Sequence, residues 1–197
     1  MLIFWKEKLV ILAVAKTGTT AFEDELAPHA DVAFRNPPRL KHATAHTMRH
    51  GFPKLFRPEN ADSFEQVAVM RDPLDWLGSW YRYRQRSFLD GQPQSTSGLS
   101  FEAFVKGYLA SPRKSFANIG SQAKFLEPRP NGTIVNHLFR YENLEDAVAF
   151  LQSRLGLEIS LPQKNVSPYA DLTLSKETEA ALRAQCSHDF RLWESLG

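Results

Sequence analysis

Leu9-Val10-Ile11-Leu12-Ala13-Val14 runs without a polar side chain into Ala15-Lys16-Thr17-Gly18-Thr19-Thr20. An unbroken apolar run of strand length, with no alternation, is the pattern of a strand covered on both faces in a parallel sheet. The run is too short to cross a bilayer. It passes straight into Lys16 with no spacer for a cleaved leader, so it reads as the first buried strand of the domain. Ala21 to Leu26 then opens a helix, which Pro28 ends. A strand, a tight turn and a helix start together make an anion cradle. The helix N-terminus offers backbone N–H groups and the positive end of its dipole, and Gly18 lets the backbone approach an anion closely. Thr17, Thr19 and Thr20 add hydroxyls, and Lys16 adds a full charge. The stretch lacks the first Gly and the Gly-Lys-Ser/Thr of the Walker pattern, which points to transfer that needs no metal. A Thr-rich turn with a helix cap is the plainer reading of these residues.

Working outward, Asp31-Val32-Ala33-Phe34 reads as a second strand broken by Pro37-Pro38, and Leu40 to Thr44 as a short extended piece at the mouth of the sheet. Residues 45–63, with Gly51, Pro53 and Pro58, read as loop. Gln66-Val67-Ala68-Val69-Met70 is the next buried strand, followed by Arg71-Asp72-Pro73. Asp72 is placed to cap a helix with Pro73 in its first turn, running toward Arg86. Ser100 caps a helix through about Leu109, and a further helix surrounds Ser121 to Leu126. Ile134 to Arg140 is a late strand. After it, Asn143 caps an amphipathic helix that Gly156 stops. Residues 158–172 read as irregular, and Ser175 to Leu196 as one or two closing helices. Strand, loop and helix in repetition predict an α/β fold, a single domain over 1–197 with a mostly parallel central sheet flanked by helices. Ligands of such sheets bind beyond the carboxyl ends of the strands. The loops at 16–20, 41–46, 71–72 and 141–142 fall at that edge.

The chain has 197 residues, 43% hydrophobic and 23% charged, with a formal net charge of +2. That balance is ordinary for one globular domain. It is too small to argue for a nucleic-acid partner, though it suits an anionic small molecule. The single cysteine, Cys186, excludes an internal disulfide and a Cys-rich metal site. With no membrane span in the sequence, a cytoplasmic location is expected.

Two further segments carry chemistry. Arg71 ends a buried strand, and Ser79 follows a little over two helical turns later, so it can share a face with the helix start. A forked, permanently charged donor and a hydroxyl make a second anion site; a surface pair of Arg71 with Asp72 or Asp75 is the alternative. Between the two anion sites lie three of the six histidines, His42, His46 and His50, in Lys41-His42-Ala43-Thr44-Ala45-His46-Thr47-Met48-Arg49-His50. Their spacing of four would suit one helix face and a metal, but no acidic residue accompanies them, and no metal is expected. A neutral imidazole can instead take a proton from an acceptor hydroxyl; a solvated loop histidine is the alternative.

Lys16-Thr17-Gly18-Thr19-Thr20 after the first strand resembles the phosphosulfate-binding loop of sulfotransferases, which reads Pro-Lys-x-Gly-Thr-Thr. Arg71-Asp72-Pro73 with Ser79 and Tyr81 resembles the same family's strand end and following helix. The resemblance is to small soluble members of bacterial type and implies a P-loop-NTPase-like sulfotransferase fold. It implies 3′-phosphoadenosine 5′-phosphosulfate (PAPS) as donor, its sulfate end at residues 16–20 and its 3′-phosphate on Arg71 and Ser79, and Lys16 as a catalytic residue. It also implies His42 as the general base, with His46 the runner-up. Tyr141, in Tyr141-Glu142-Asn143-Leu144, is placed against the nucleotide, and Asn165 and Ser167 in a loop closing over it. Ala15 stands where many members have Pro. Ala21 stands where cytosolic members stack a Trp on adenine, which leaves Phe22 as the available aromatic ring. The implied reaction is in-line transfer of a sulfuryl group to the hydroxyl or amine of a small-molecule or carbohydrate acceptor. The competing readings are a nucleotide-dependent small-molecule kinase and a non-catalytic nucleotide-binding module.

Overall fold

A computed structural model describes residues 1–52, 63–126, 135–161 and 169–196. Among them are five strands: β1 (Leu2–Phe4), β2 (Leu9–Ile11), β3 (Val32–Ala33), β4 (Glu65–Met70) and β5 (His137–Arg140). The helices are α1 (Thr19–Leu26), α2 (Pro38–Lys41), α3 (Ala45–Gly51), α4 (Pro73–Arg84), α5 (Phe101–Leu109), α6 (Gln122–Leu126), α7 (Leu144–Leu155), α8 (Lys176–Gln185) and α9 (Ser187–Glu194). The chain forms two compact units: Met1–Arg71 with Gln122–Lys164 and the last two residues, and Asp72–Ser121 with Asn165–Ser195.

The first unit holds the sheet, in the order β3-β1-β2-β4-β5. The pairings β2–β4 and β4–β5 are parallel, whereas β1–β2 and β1–β3 are antiparallel. The α/β fold with a central sheet flanked by helices is therefore present, and the sheet is mixed. Its parallel half carries the apolar strands expected from the sequence. The antiparallel half comes from β1, a strand the sequence reading passed over. Leu2 to Phe4 turn through Trp5–Lys8 and pair back on β2, with Leu2 opposite Ile11. Lys8 takes a positive φ of 50° in that turn. All three β1 residues are buried, so the first residues of the chain belong to the core.

One face of the sheet packs Leu2, Phe4, Leu9, Ile11, Val67 and Val69 against Phe22 and Leu26 of α1 and Ala147 and Leu151 of α7. Strand side chains alternate between faces, so Gln66 points the other way, where its amide donates to the Ala45 carbonyl at the start of α3. Gly156, in the left-handed conformation, ends α7 as expected. Asn143 precedes that helix without a side-chain capping bond.

Two expectations between β3 and β4 are corrected. Leu40 to Thr44 is not extended, because Pro38 with its fixed φ nucleates α2 and His42 caps that helix's carboxyl end. Residues 45–51 are not loop, because the Thr44 hydroxyl accepts from the Thr47 amide and caps α3.

The second unit is helical. Asp72 accepts from the amides of Leu74 and Asp75 and caps α4 as the sequence predicts. Trp76, Leu77 and Tyr81 of α4 pack with Phe101, Phe104, Val105 and Tyr108 of α5, and with Leu182 and Phe190 of α8 and α9. Ser100 caps α5 through the Ala103 amide. Ser175 caps α8 through the Thr178 amide and is itself held by Glu102.

Candidate functional site

The apolar run stops pairing as a strand after Ile11, yet Leu12, Ala13 and Val14 remain buried. The chain then bends sharply. Lys16 has a positive φ of 71° and Gly18, the cap of α1, a positive φ of 75°. For a lysine this conformation is costly, about 1–2 kcal/mol, so the surroundings must impose it. These two left-handed residues, with Thr17 between them, turn the chain into the start of α1, where free helix N-terminal amides suit an anion. The Gly18 carbonyl accepts from Ala21 and Phe22, so the amides of Thr19 and Thr20 precede the first intrahelical bond. Thr17 is fully buried and its hydroxyl donates to the Val14 carbonyl at 2.9 Å. That side chain fastens the turn and is committed to the Val14 carbonyl. Thr19 is half-buried and Thr20 exposed.

Arg71 leaves the carboxyl end of β4 and reaches the same place. Its Nη1 donates to the Lys16 carbonyl at 3.3 Å, and its guanidinium lies 4.3 Å from the centre of the Tyr141 ring. Tyr141 follows β5 and also packs on the loop: a Cβ on Gly18 would lie 3.3 Å from its Cε2. Arg71 from the end of β4 thus touches both the loop at Lys16 and the Tyr141 ring, and Tyr141 from the end of β5 packs on Gly18 of the same loop. The Arg71 backbone is held by Gln122, which sequence reasoning did not single out. Gln122 Oε1 accepts from the Arg71 amide at 3.0 Å, and Gln122 Nε2 donates to the Arg71 carbonyl at 2.8 Å.

His42 donates from Nδ1 to the Ala13 carbonyl at 2.7 Å. A carbonyl can only accept, so this bond fixes the tautomer and leaves the lone pair on Nε2. Burial lowers the His42 pKa below its ordinary value, and the neighbouring Lys41 adds to that effect. Lys41 is itself paired with Glu23 of α1 at 2.5 Å. His46 and His50 lie apart from His42, exposed on α3 with ring centres 4.7 Å apart. The single helix face that their spacing would suit is not formed, because His42 lies at the end of α2 and the other two on α3. No group of three or more His, Cys, Asp or Glu side chains suited to a metal occurs among the described residues.

Ser79 lies on α4 in the second unit and is 4% exposed. Phe22 is core, packed with Leu26, Val67 and Val69, so its ring is committed to the interior. Asn165 and Ser167 lie outside the described residues. Among the described residues, no helix is long and apolar enough to cross a membrane.

Nothing in the sequence marked Gln122, because its role depends on a backbone 51 residues away. The Ala13 carbonyl was invisible for the same reason.

No curated protein and no solved structure matched the chain. The family model described as the sulfotransferase family matches residues 1–192, nearly the whole chain, and the chain belongs to that family.

Proposed function

We propose that the chain transfers a sulfuryl group from PAPS to the hydroxyl or amine of an acceptor. Family membership supports a sulfuryl transferase. The observation that supports the finer reading is the meeting of Arg71 with the Lys16 carbonyl and the Tyr141 ring, since it brings together the two segments read as anion-binding. One nucleotide with phosphates at both its 5′ and 3′ positions would use both. The amides from Lys16 to Thr20 suit the 5′-phosphosulfate, and Arg71 suits the 3′-phosphate.

The reaction then follows from the side chains. His42 Nε2 takes the acceptor's proton, and the acceptor oxygen or nitrogen forms a bond to sulfur. The bond between sulfur and the bridging oxygen of the donor breaks, and its electrons leave with the 5′-phosphate. Lys16 and the loop amides stabilise the charge that develops there. Tyr141 flanks the nucleotide.

Calorimetry with 3′-phosphoadenosine 5′-phosphate tests the donor. Micromolar binding is expected, and Lys16→Ala and Arg71→Ala each weaken it at least tenfold, about 1.4 kcal/mol. An absence of binding removes the reading. Binding of ATP with magnesium in its place would favour a kinase.

A further inference from the structure

Strand β4 offers its backbone groups alternately to its two neighbours. The Gln66 carbonyl accepts from Asn136 on the β5 side, and the Val67 carbonyl accepts from Leu12 on the β2 side. By this alternation the amide and carbonyl of Arg71, four residues beyond Val67, face the β2 side. No strand remains there, because the β2 chain has already turned away into the loop at Lys16. Backbone donors and acceptors inside a protein are almost always paired. At Arg71 the pairing is supplied by one side chain, since the primary amide of Gln122 has the donor and acceptor of a peptide group and meets both Arg71 groups at once. Gln122 is 1% exposed and opens α6, anchored by the buried Ala123 and Leu126.

We infer that Gln122 is a positioning residue for recognition of the donor's 3′-phosphate: it substitutes for the departed strand, so that the loop can turn away while Arg71 stays in sheet register. The inference rests on the proposed role of Arg71. The clamp sets the backbone from which the Arg71 side chain departs toward the Lys16 carbonyl and the Tyr141 ring. Glutamine has the length and both functional groups required. Glutamate keeps the acceptor and loses the donor, and methionine keeps the bulk and loses both.

The test compares the affinities of 3′-phosphoadenosine 5′-phosphate and adenosine 5′-phosphate by calorimetry, in the full chain and in Gln122→Met and Gln122→Glu. The unsubstituted chain should prefer the bisphosphate. In Gln122→Met that preference should fall at least about tenfold, as for loss of one contact to a charged group, while adenosine 5′-phosphate binds within about twofold of its original affinity. Gln122→Glu should be intermediate, and a thermal melt identifies which variants are folded. A folded variant of either kind that keeps the full preference overturns the inference and leaves the donor assignment intact. A parallel loss of both ligands also overturns it, because that is what a merely structural residue would give. No preference in the unsubstituted chain overturns the role of Arg71 and this inference with it.

Discussion

At their amino ends, β4 and β5 begin with Glu65 and His137, and the Glu65 carboxylate accepts from both the His137 ring and Arg154 of α7. At their carboxyl ends the same strands deliver Arg71 and Tyr141 to the loop at Lys16. The amino end sets a carboxylate against a guanidinium and an imidazole, so its charges are matched within the protein. The carboxyl end gathers the cationic side chains Lys16 and Arg71 beside the amides that open α1. Lys16 there holds a conformation that a lysine rarely adopts. On the proposed reading the amino end serves the fold and the carboxyl end receives the donor's phosphates. Substitutions should therefore divide cleanly, costing function at one end and a little stability at the other.

The largest separation is expected from His42→Ala. Removing a general base lowers turnover by about 10²–10⁴-fold, with binding of 3′-phosphoadenosine 5′-phosphate unchanged, as read with labelled donor against an acceptor panel. Burial lowers the His42 pKa, so the neutral, competent form persists to lower pH than for a free imidazole. The acid limb of turnover should then lie below 6.5, the ordinary value, and should vanish in the variant. Equal turnover in the variant would remove His42 from the reaction.

Gly18→Ala is next, because it strikes the strained loop itself. A Cβ at a φ of 75° meets both backbone strain and the Tyr141 ring. The expected loss is about 1–2 kcal/mol of stability, read by chemical denaturation, together with weaker nucleotide binding. A variant of undiminished stability would show that the loop is not held as described.

Glu65→Gln should have the smallest effect, about 1 kcal/mol of stability or less for a partly exposed ion pair, with turnover unchanged. Arg154 chiefly, then His137, lowers the Glu65 pKa below 4.5. A carboxylate with a depressed folded pKa stabilises the protein above its unfolded pKa and ceases to do so as pH falls through the folded one. The unsubstituted chain should accordingly lose its advantage over Glu65→Gln only as pH drops below about 4.5. A loss of turnover in this variant would break the division between the two ends.

The strands β2 and β4, the helix α4 with its Asp72 cap, and the loop at Lys16 were legible because each is written in local sequence: an apolar run, a capping residue, a glycine before a helix. β1 was not, since three apolar residues become a strand only by pairing with Leu9–Ile11. α2 and α3 were hidden by prolines that read as breakers, although Pro38 starts a helix at a position where its missing N–H costs nothing. Lys16, Arg71 and His42 were chosen by residue type and order. What holds them (Gln122, the Ala13 carbonyl and Tyr141 against Gly18) consists of contacts between distant segments, which no window of sequence contains.

The packing of Tyr141 on Gly18 and under Arg71 also orders events in time. Tyr141 lies in the last third of the chain, and the loop it braces lies in the first tenth. Contacts so far apart in sequence form late, after the entropy of closing a long loop has been overcome. A nascent chain that has emerged only as far as Arg71 lacks the Tyr141 ring that packs on Gly18 and Arg71, so the loop is fully braced only once β5 has docked.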